Sequence, residues 1–324
     1  MLTYIIRRLL AIVPLLLGIT IISFAIIHLA PGKPTAQQEL MSPRISYEAR
    51  MRLEKLYELD KPLHIQYIKW LARIVRLDLG TSLFDGRPVV NKILERIPLT
   101  LTINILSLGL ILIISIPLGI KAANESGSLF DKITTVGVFI GFALPAFWFA
   151  LLLMQFFSIK LGWLPISGIK SLDFEYFSWP KRLLDLAWHL ILPVCVSSIG
   201  GLAGFSRYIR QNMLEALRQP YIITAKAKGL TPRQILYCHA LPNAMLPLIT
   251  ILGLSVPGLL GGSVIFESIF ALPGIGELFY KAVMMRDYNL IMAEVVLGAV
   301  LTMLGNLAAD IAYAYVDPRI RYKK

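Results

Sequence analysis

The sequence predicts an all-α integral membrane protein with six spanning helices, and three observations carry that reading. Of its 324 residues 56% are hydrophobic and 16% charged, where soluble domains average about 45–50% apolar and about 25% charged. The mean hydropathy is +0.67. The apolar residues are also gathered into separate runs long enough to span as helices, for which about 20 residues are needed.

Taken in order, Met1 to Arg8 ends on the Arg7–Arg8 pair and precedes an apolar run from Leu9 to Ala30. That run exceeds the roughly 7–15 residues of a signal-peptide core, and no small-x-small cleavage site follows it. It is therefore read as an uncleaved first span, with Pro14 placed to bend it. Residues 31–98 mix charges of both signs with aromatic and aliphatic side chains and should fold as a small extracytoplasmic helical insertion. Within them, Tyr47 to Leu59 puts Ala49, Leu53, Leu56 and Leu59 on one helical face, with Arg50, Glu54 and Glu58 turned away. Trp70 to Leu79 continues in a helical pattern.

The second span is expected from Leu99 to Ile120, with Pro117 inside it, followed by a turn-forming connection from Lys121 to Lys132. The third runs from Thr134 to Phe157 with Pro145 at its middle. A proline there fits a bundle interior or pore lining, where neighbours satisfy the freed carbonyl, although for any one proline a packing kink is the commoner role. Ser158 to Asp185, with Trp163, Pro165, Trp179 and Pro180, reads as an amphipathic interfacial loop of the aromatic belt. Ala187 to Phe205, with Pro193, is the fourth span. The fifth, Ala244 to Phe266, is rich in Gly and Pro, and the sixth is Leu290 to Tyr315. Between these last two, Glu267 to Asn289 forms a re-entrant or surface loop. The organisation is thus residues 1–30 as tail and first span, 31–98 as insertion, and 99–324 as a five-span core containing a polar loop at 207–242.

That polar loop is the focus of the chain. Tyr221 to Pro242 reads as two short helices: one starts at Pro220 and stops at Gly229, which readily takes the left-handed conformation after a helix. The second starts with Thr231 as cap, Pro232 in the first turn and Gln234 where a capping box needs it, and Leu241-Pro242 ends it. Two short helices at a fixed angle make a rigid shape suited to transmitting force.

Lys and Arg in the short loops give the orientation. With the N-terminus inside, the cytoplasmic set holds fourteen (Arg7, Arg8, Lys121, Lys132, Arg207, Arg210, Arg218, Lys226, Lys228, Arg233, Arg319, Arg321, Lys323, Lys324), against six outside. The long 31–98 region holds twelve, offset by eight acidic residues, but loops beyond about 60 residues translocate largely regardless of charge. Both termini and the polar loop are therefore assigned to the cytoplasm. The net charge of +12 accordingly points to lipid headgroups and orientation rather than to nucleic acid.

Much familiar chemistry is absent. There is no G-x-x-x-x-G-K-[ST] loop to cradle ATP phosphates and no H-E-x-x-H. Cys195 and Cys238 are expected as free thiols, and His28, His64, His189 and His239 are scattered rather than clustered. Gly253-Leu254-Ser255 offers a lone G-x-S without a later histidine to serve as base, which is weak support for a membrane-embedded enzyme. Glu294 and Asp310 stand near the two ends of the last span without a basic partner in it, which argues against an ion-coupled carrier.

The polar loop closely resembles that of the permease subunits of binding-protein-dependent ATP-binding-cassette importers, in their dipeptide, oligopeptide and nickel branch. Those carry a Glu-Ala-Ala triplet, a Gly four residues after the last Ala, and a Leu-Pro twelve and thirteen residues beyond; Ala225, Gly229, Leu241 and Pro242 match. Ile223 and Thr224 replace the Glu and the first Ala, so an ion pair made by that Glu is not carried over. The peptide branch's version resembles Thr224 to Leu230, and His239 to Ala244, Gly261-Gly262, Glu267, Phe270 and Pro273-Gly274-Ile275-Gly276 match at compatible spacing. The resemblance implies a type I importer permease that pairs with a homologous second permease, two ATPase subunits that hold ATP and Mg, and an extracytoplasmic binding protein. It implies coupling to the ATPase through Thr224, Ala225, Lys226, Lys228, Gly229, Arg233, Leu241 and Pro242, the small Ala225 and Gly229 permitting close approach. It places Gly261, Gly262, Glu267, Phe270, Pro273, Gly274 and Gly276 in an outer loop or gate. The 31–98 insertion would contact the binding protein or cover the pore mouth, or serve only as a solvated structural element. Peptides are the expected substrate; nickel complexes and glutathione are handled by similar permeases.

Overall fold

The computed structural model describes residues 2–30, 51 and 60–316. The expected helix over Tyr47 to Leu59 falls almost wholly outside them. The helices are α1 (Leu2–Leu29), α2 (Leu63–Val75), α3 (Val89–Leu94), α4 (Ile97–Asn124), α5 (Leu129–Ala143), α6 (Ala146–Leu153), α7 (Trp179–Leu217), α8 (Pro220–Ala227), α9 (Pro232–Gln234), α10 (Leu241–Ser255), α11 (Val264–Ile269), α12 (Ile275–Met285) and α13 (Tyr288–Val316). Among the described residues the only extended pairing is an isolated bridge between Thr81 and Pro88. Five helices among the described residues are long and apolar enough to cross a membrane, or six if the bent pair of α5 with α6 and its continuation to Lys160 counts as one span. An all-helical, multi-pass fold follows.

Three spans differ from their expected form, two of them at a proline. Leu144, before Pro145, has ψ 131°, the extended conformation forced by the proline ring; the helix stops and restarts at a bend of 101°. The third span is therefore two helices, not one kinked helix. Pro193, by contrast, sits inside the uninterrupted α7, which begins at Trp179 and runs to Leu217. The expected interfacial loop thus loses its last turns to a helix, and the polar loop loses its first. The fifth span ends early: α10 stops at Ser255, a tight turn at Pro257–Leu260 follows, and α11 is separate.

The chain forms two compact units, Met1–Thr100 with Leu260–Val264 and Pro273–Leu307, and Leu101–Leu259 with Ile265–Leu272 and Ala308–Lys324. In the first, α2 lies on α1, with Thr20 Oγ1 and Tyr67 OH 3.0 Å apart and Phe24 edge-on to Tyr67. Asp287, which precedes α13, is 1% exposed. Its carboxylate accepts hydrogen bonds from Ser82 Oγ, the Leu83 N–H at 3.0 Å and the Leu290 N–H at 3.3 Å, so it caps α13 while pinning the Ser82 turn. Lys92 Nζ donates to Ser82 Oγ at 3.1 Å and pairs with Asp85 at 2.9 Å. Burial pushes the Asp85 carboxyl up, but its bonds from Lys92 and the Arg87 N–H more than offset this and hold it below the usual carboxylate range.

The second unit is built on a crossing of α4 with α7. Ser107, Ile111, Ser115 and Gly119 recur every fourth residue on α4 and so share one face. Ser198 Oγ donates to the Ser107 and Val194 carbonyls at 3.2 and 2.6 Å. A Cβ on Gly119 would lie 2.9 Å from the Ser206 carbonyl oxygen and 2.8 Å from the Ile209 side chain, so only glycine permits this approach. Small residues at a crossing let dispersion contacts form along the backbone, the main attraction open to helices in lipid. Nearby, Arg210 Nε and Nη2 clamp Asp131 at 2.6 and 2.7 Å, fixing the start of α5 to α7.

Two consequences can be measured. Gly119→Val should cost about 1–3 kcal/mol by overpacking, seen as a lower thermal transition in detergent, whereas Gly109→Val, whose Cβ meets nothing within 4 Å, should be near neutral. Asp287→Asn removes the charge that serves three donors and should lose about 1–3 kcal/mol, with faster amide exchange at Leu83 and Leu290.

Candidate functional site

The polar loop is built on the end of α7. Ile209, Met213 and Ala216 face inward there and form a core with Ile222 and Ala225 of α8, Ile235, Leu236 and Ala240 after α9, and Ala244 and Leu248 of α10. The helix pair therefore sits on a continuous membrane-length helix.

Its local geometry follows from the sequence. Pro220 opens α8, where a missing N–H costs nothing. At its end the Gly229 N–H donates to the Lys226 carbonyl at 2.9 Å and the Leu230 N–H to that of Ala225 at 3.3 Å, with Gly229 at φ +76°. These are the two bonds of a Schellman motif, which closes the helix by satisfying its last carbonyls. Two residues on, Thr231 and Gln234 form the expected capping box: the Gln234 N–H donates to Thr231 Oγ1 at 3.3 Å and the Thr231 N–H to Gln234 Oε1 at 2.9 Å. One glycine and one threonine thus set the angle between the helices.

The expected stop at Leu241-Pro242 does not occur. Residues Ile235–Ala240 form a turn of π-helix, in which the Leu241 N–H donates five residues back to the Leu236 carbonyl at its end, and α10 continues through Pro242. The wider turn makes room where the Pro242 ring would strike the carbonyl four residues earlier. The second short helix is consequently joined rigidly to the next span. No local residue pattern marks such a turn, so sequence reading missed it.

Of the residues singled out, Thr224, Lys226, Lys228, Gly229 and Arg233 are exposed, and Pro242 is too. Ala225 is not: it is 5% exposed and packed inside the chain's own core, and Leu241 is half-buried against the same core. The small side chain of Ala225 serves α8's seat on α7 rather than outside contact. Reading missed Ile223 and Tyr237, which are 68% and 54% exposed. Together they make the outer surface of the pair both basic and apolar.

The second group divides between the units. Gly262 and Gly276 meet directly: a Cβ on Gly262 would lie 2.0 Å from the Gly276 nitrogen, and one on Gly276 would lie 2.6 Å from Val264 N. Gly274 stands at the cap of α12, Pro273 is half-buried before it, and the Ile275 N–H donates to Thr100 Oγ1 at 3.0 Å. Gly261 is exposed beside the crossing. In the other unit, Glu267 and Phe270 are buried, and the Phe270 carbonyl accepts from the Gly168 N–H at 2.8 Å. Ser255, the lone G-x-S hydroxyl, donates to the Ile251 carbonyl at 2.8 Å within its own helix.

The fold and this loop define a multi-pass, all-helical membrane protein bearing an exposed, doubly capped helix pair. Family models match nearly the whole chain: a binding-protein-dependent transport system membrane component, N-terminal part, over residues 1–104, and a binding-protein-dependent transport system inner membrane component over residues 115–322. The chain belongs to this family. It is 46% identical to the oligopeptide transport system permease protein AppB of Bacillus subtilis over 99% of this chain and 100% of that one. It is 37% identical to the di/tripeptide transport system permease protein DppB of Pseudomonas aeruginosa and 36% identical to the dipeptide transport system permease protein DppB of Escherichia coli K12, both over the full length of each chain.

The caps predict a graded response. Thr231→Ala removes the capping box at a cost of about 1 kcal/mol, and Gly229→Ala forces an alanine into the left-handed region at about 1–2 kcal/mol. Amide exchange across residues 220–240 should quicken in both variants, while exchange in α13 stays unchanged.

Proposed function

We propose that this chain is a permease subunit of an ATP-driven peptide importer. It would form half of the translocation pathway with a homologous second permease, while two separate ATPase subunits bind and hydrolyse ATP with Mg. The single observation that carries this reading is the α8–α9 pair: rigid, exposed, basic and apolar at once, joined to α7 across the two-residue turn Arg218-Gln219 and to α10 without a break. Such an element can report a state change in a bound partner to membrane helices, because one end runs into α10 as unbroken helix and the other is packed on the end of α7.

In this reading Thr224, Lys226, Lys228, Gly229 and Arg233, with Ile223 and Tyr237, touch the ATPase. Ala225 and Leu241 hold the pair from within, and Pro242 passes motion to α10. The loop faces the cytoplasm with both termini, as the Lys and Arg distribution supports, and an extracytoplasmic binding protein delivers substrate on the other side. Gly261, Gly262, Glu267, Phe270, Pro273, Gly274 and Gly276 belong to the outer loop, the Gly262–Gly276 crossing supplying a backbone contact that can part or close. Peptides are favoured over nickel complexes or glutathione because the relatives named above are peptide permeases along their whole length.

The experiment is a mild-detergent pull-down of the tagged full chain, with the α8–α9 loop native and carrying Gly229→Asp. Native loop should recover a Walker-motif ATPase and a second permease; Gly229→Asp, whose added carboxylate projects from an open surface, should still insert but lose peptide uptake at least about 10-fold, the size of a 1.4 kcal/mol change in coupling. Normal uptake and ATPase recovery in the variant would overturn the role of this surface.

A further inference from the structure

A groove of about 540 Å³ lies between α5 and α7, roofed by the α4 edge at Leu118 and Gly119. Its lining is mixed: Arg210 and Gln211 of α7 face Thr134 of α5, and Gly204 and Val138 stand further along, with Arg207 one turn from Gly204 on α7. Arg210 is neutralised by Asp131. Arg207 is different: it is exposed, its guanidinium lies 4.8 Å from the centroid of the Phe139 ring, and no described carboxylate pairs with it. It also sits two residues beyond the apolar run that ends at Phe205, at the depth where a spanning segment meets headgroups. A cation at that depth, with hydrogen-bonding side chains beside it and an open apolar slot running away, matches the two ends of a phospholipid.

We propose that this groove seats one anionic phospholipid, with its phosphate on Arg207 and Gln211 and an acyl chain along Gly204 and Val138. The cation–π contact with Phe139 orients the guanidinium while leaving its N–H groups free to donate to phosphate oxygens. Basic pockets between spanning helices are a general means of holding acidic headgroups. Gly204 supports the assignment from the apolar side: a Cβ there meets nothing within 4 Å, so the slot is open to an incoming chain. The lipid would fill the face between α5 and α7 at the level where Arg210 clamps Asp131, bracing α7 just before it leaves for the helix pair.

Native mass spectrometry of the full chain with its co-purifying subunits tests this, using added dioleoyl phosphatidylglycerol, dioleoyl phosphatidylcholine or inorganic phosphate. The unmodified chain should retain phosphatidylglycerol over phosphatidylcholine by about five-fold, the worth of one basic residue at an anionic surface. Arg207→Gln should abolish that preference and Arg207→Lys should keep most of it, both with unchanged helicity by circular dichroism. Gly204→Leu, which fills the slot without touching charge, should reduce retention of both lipids. Equal retention of the two lipids by the unmodified chain, or an unaltered preference in Arg207→Gln, would overturn the proposal. So would displacement of bound phosphatidylglycerol by inorganic phosphate alone, which would make the site one for free phosphate.

Discussion

The second unit depends on the contact of α4 with α7 at Gly119, where a single added carbon would collide with the Ser206 backbone carbonyl. Hydrocarbon offers helices no hydrophobic reason to associate, so their attraction rests on packing and on hydrogen bonds that leave no polar group stranded. Gly119 and Gly201 supply the packing on one seam and the Ser107–Ser198 bonds part of the hydrogen bonding, although the buried Ser115 hydroxyl on the same face finds no partner. The turns of α7 that follow the seam carry Ile209, Met213 and Ala216, the seat of the polar helix pair. Position in the membrane and position of the pair are therefore fixed by one helix.

That arrangement explains why α7 is 39 residues long and unbroken despite Pro193. A proline removes one backbone donor and crowds one carbonyl, about 3 kcal/mol in an isolated helix, yet packing on α4 holds the turns on either side. The opposite solution appears at Pro145, where the chain before the proline goes extended and the helix bends by 101°. A third appears at Pro242, where a π turn absorbs the misfit and keeps the helix continuous. Continuity at Pro242 joins one end of the α8–α9 pair stiffly to a spanning helix, and continuity at Pro193 carries α7 through to the turns on which the other end is packed.

Glycine plays equally distinct parts. Gly229 is needed for its φ of +76°, in a place where a side chain would meet nothing. Gly262 and Gly276 are needed for the absence of a Cβ where two backbones touch. The first role shapes an exposed turn and the second a close contact between backbones, so substitutions at these positions act by different physics. Ala225 belongs with the second kind, its methyl group fitting α8 to α7.

The class, the approximate spans and the caps of the helix pair were legible in the sequence because each rests on local chemistry. Runs of apolar residues report transfer into lipid, and Pro220, Gly229, Thr231 and Gln234 act on backbone groups within a few residues of themselves. What only the tertiary structure decided was the fate of each proline, the inward turn of Ala225 and the Gly262–Gly276 crossing. These depend on partners far away in the chain: whether a carbonyl freed by proline is tolerated is set by the helix packed against it, and whether a small residue is exposed or buried is set by what lies over it. Local sequence fixes conformation over a few residues; packing between distant segments decides which of those conformations continue, bend or stop.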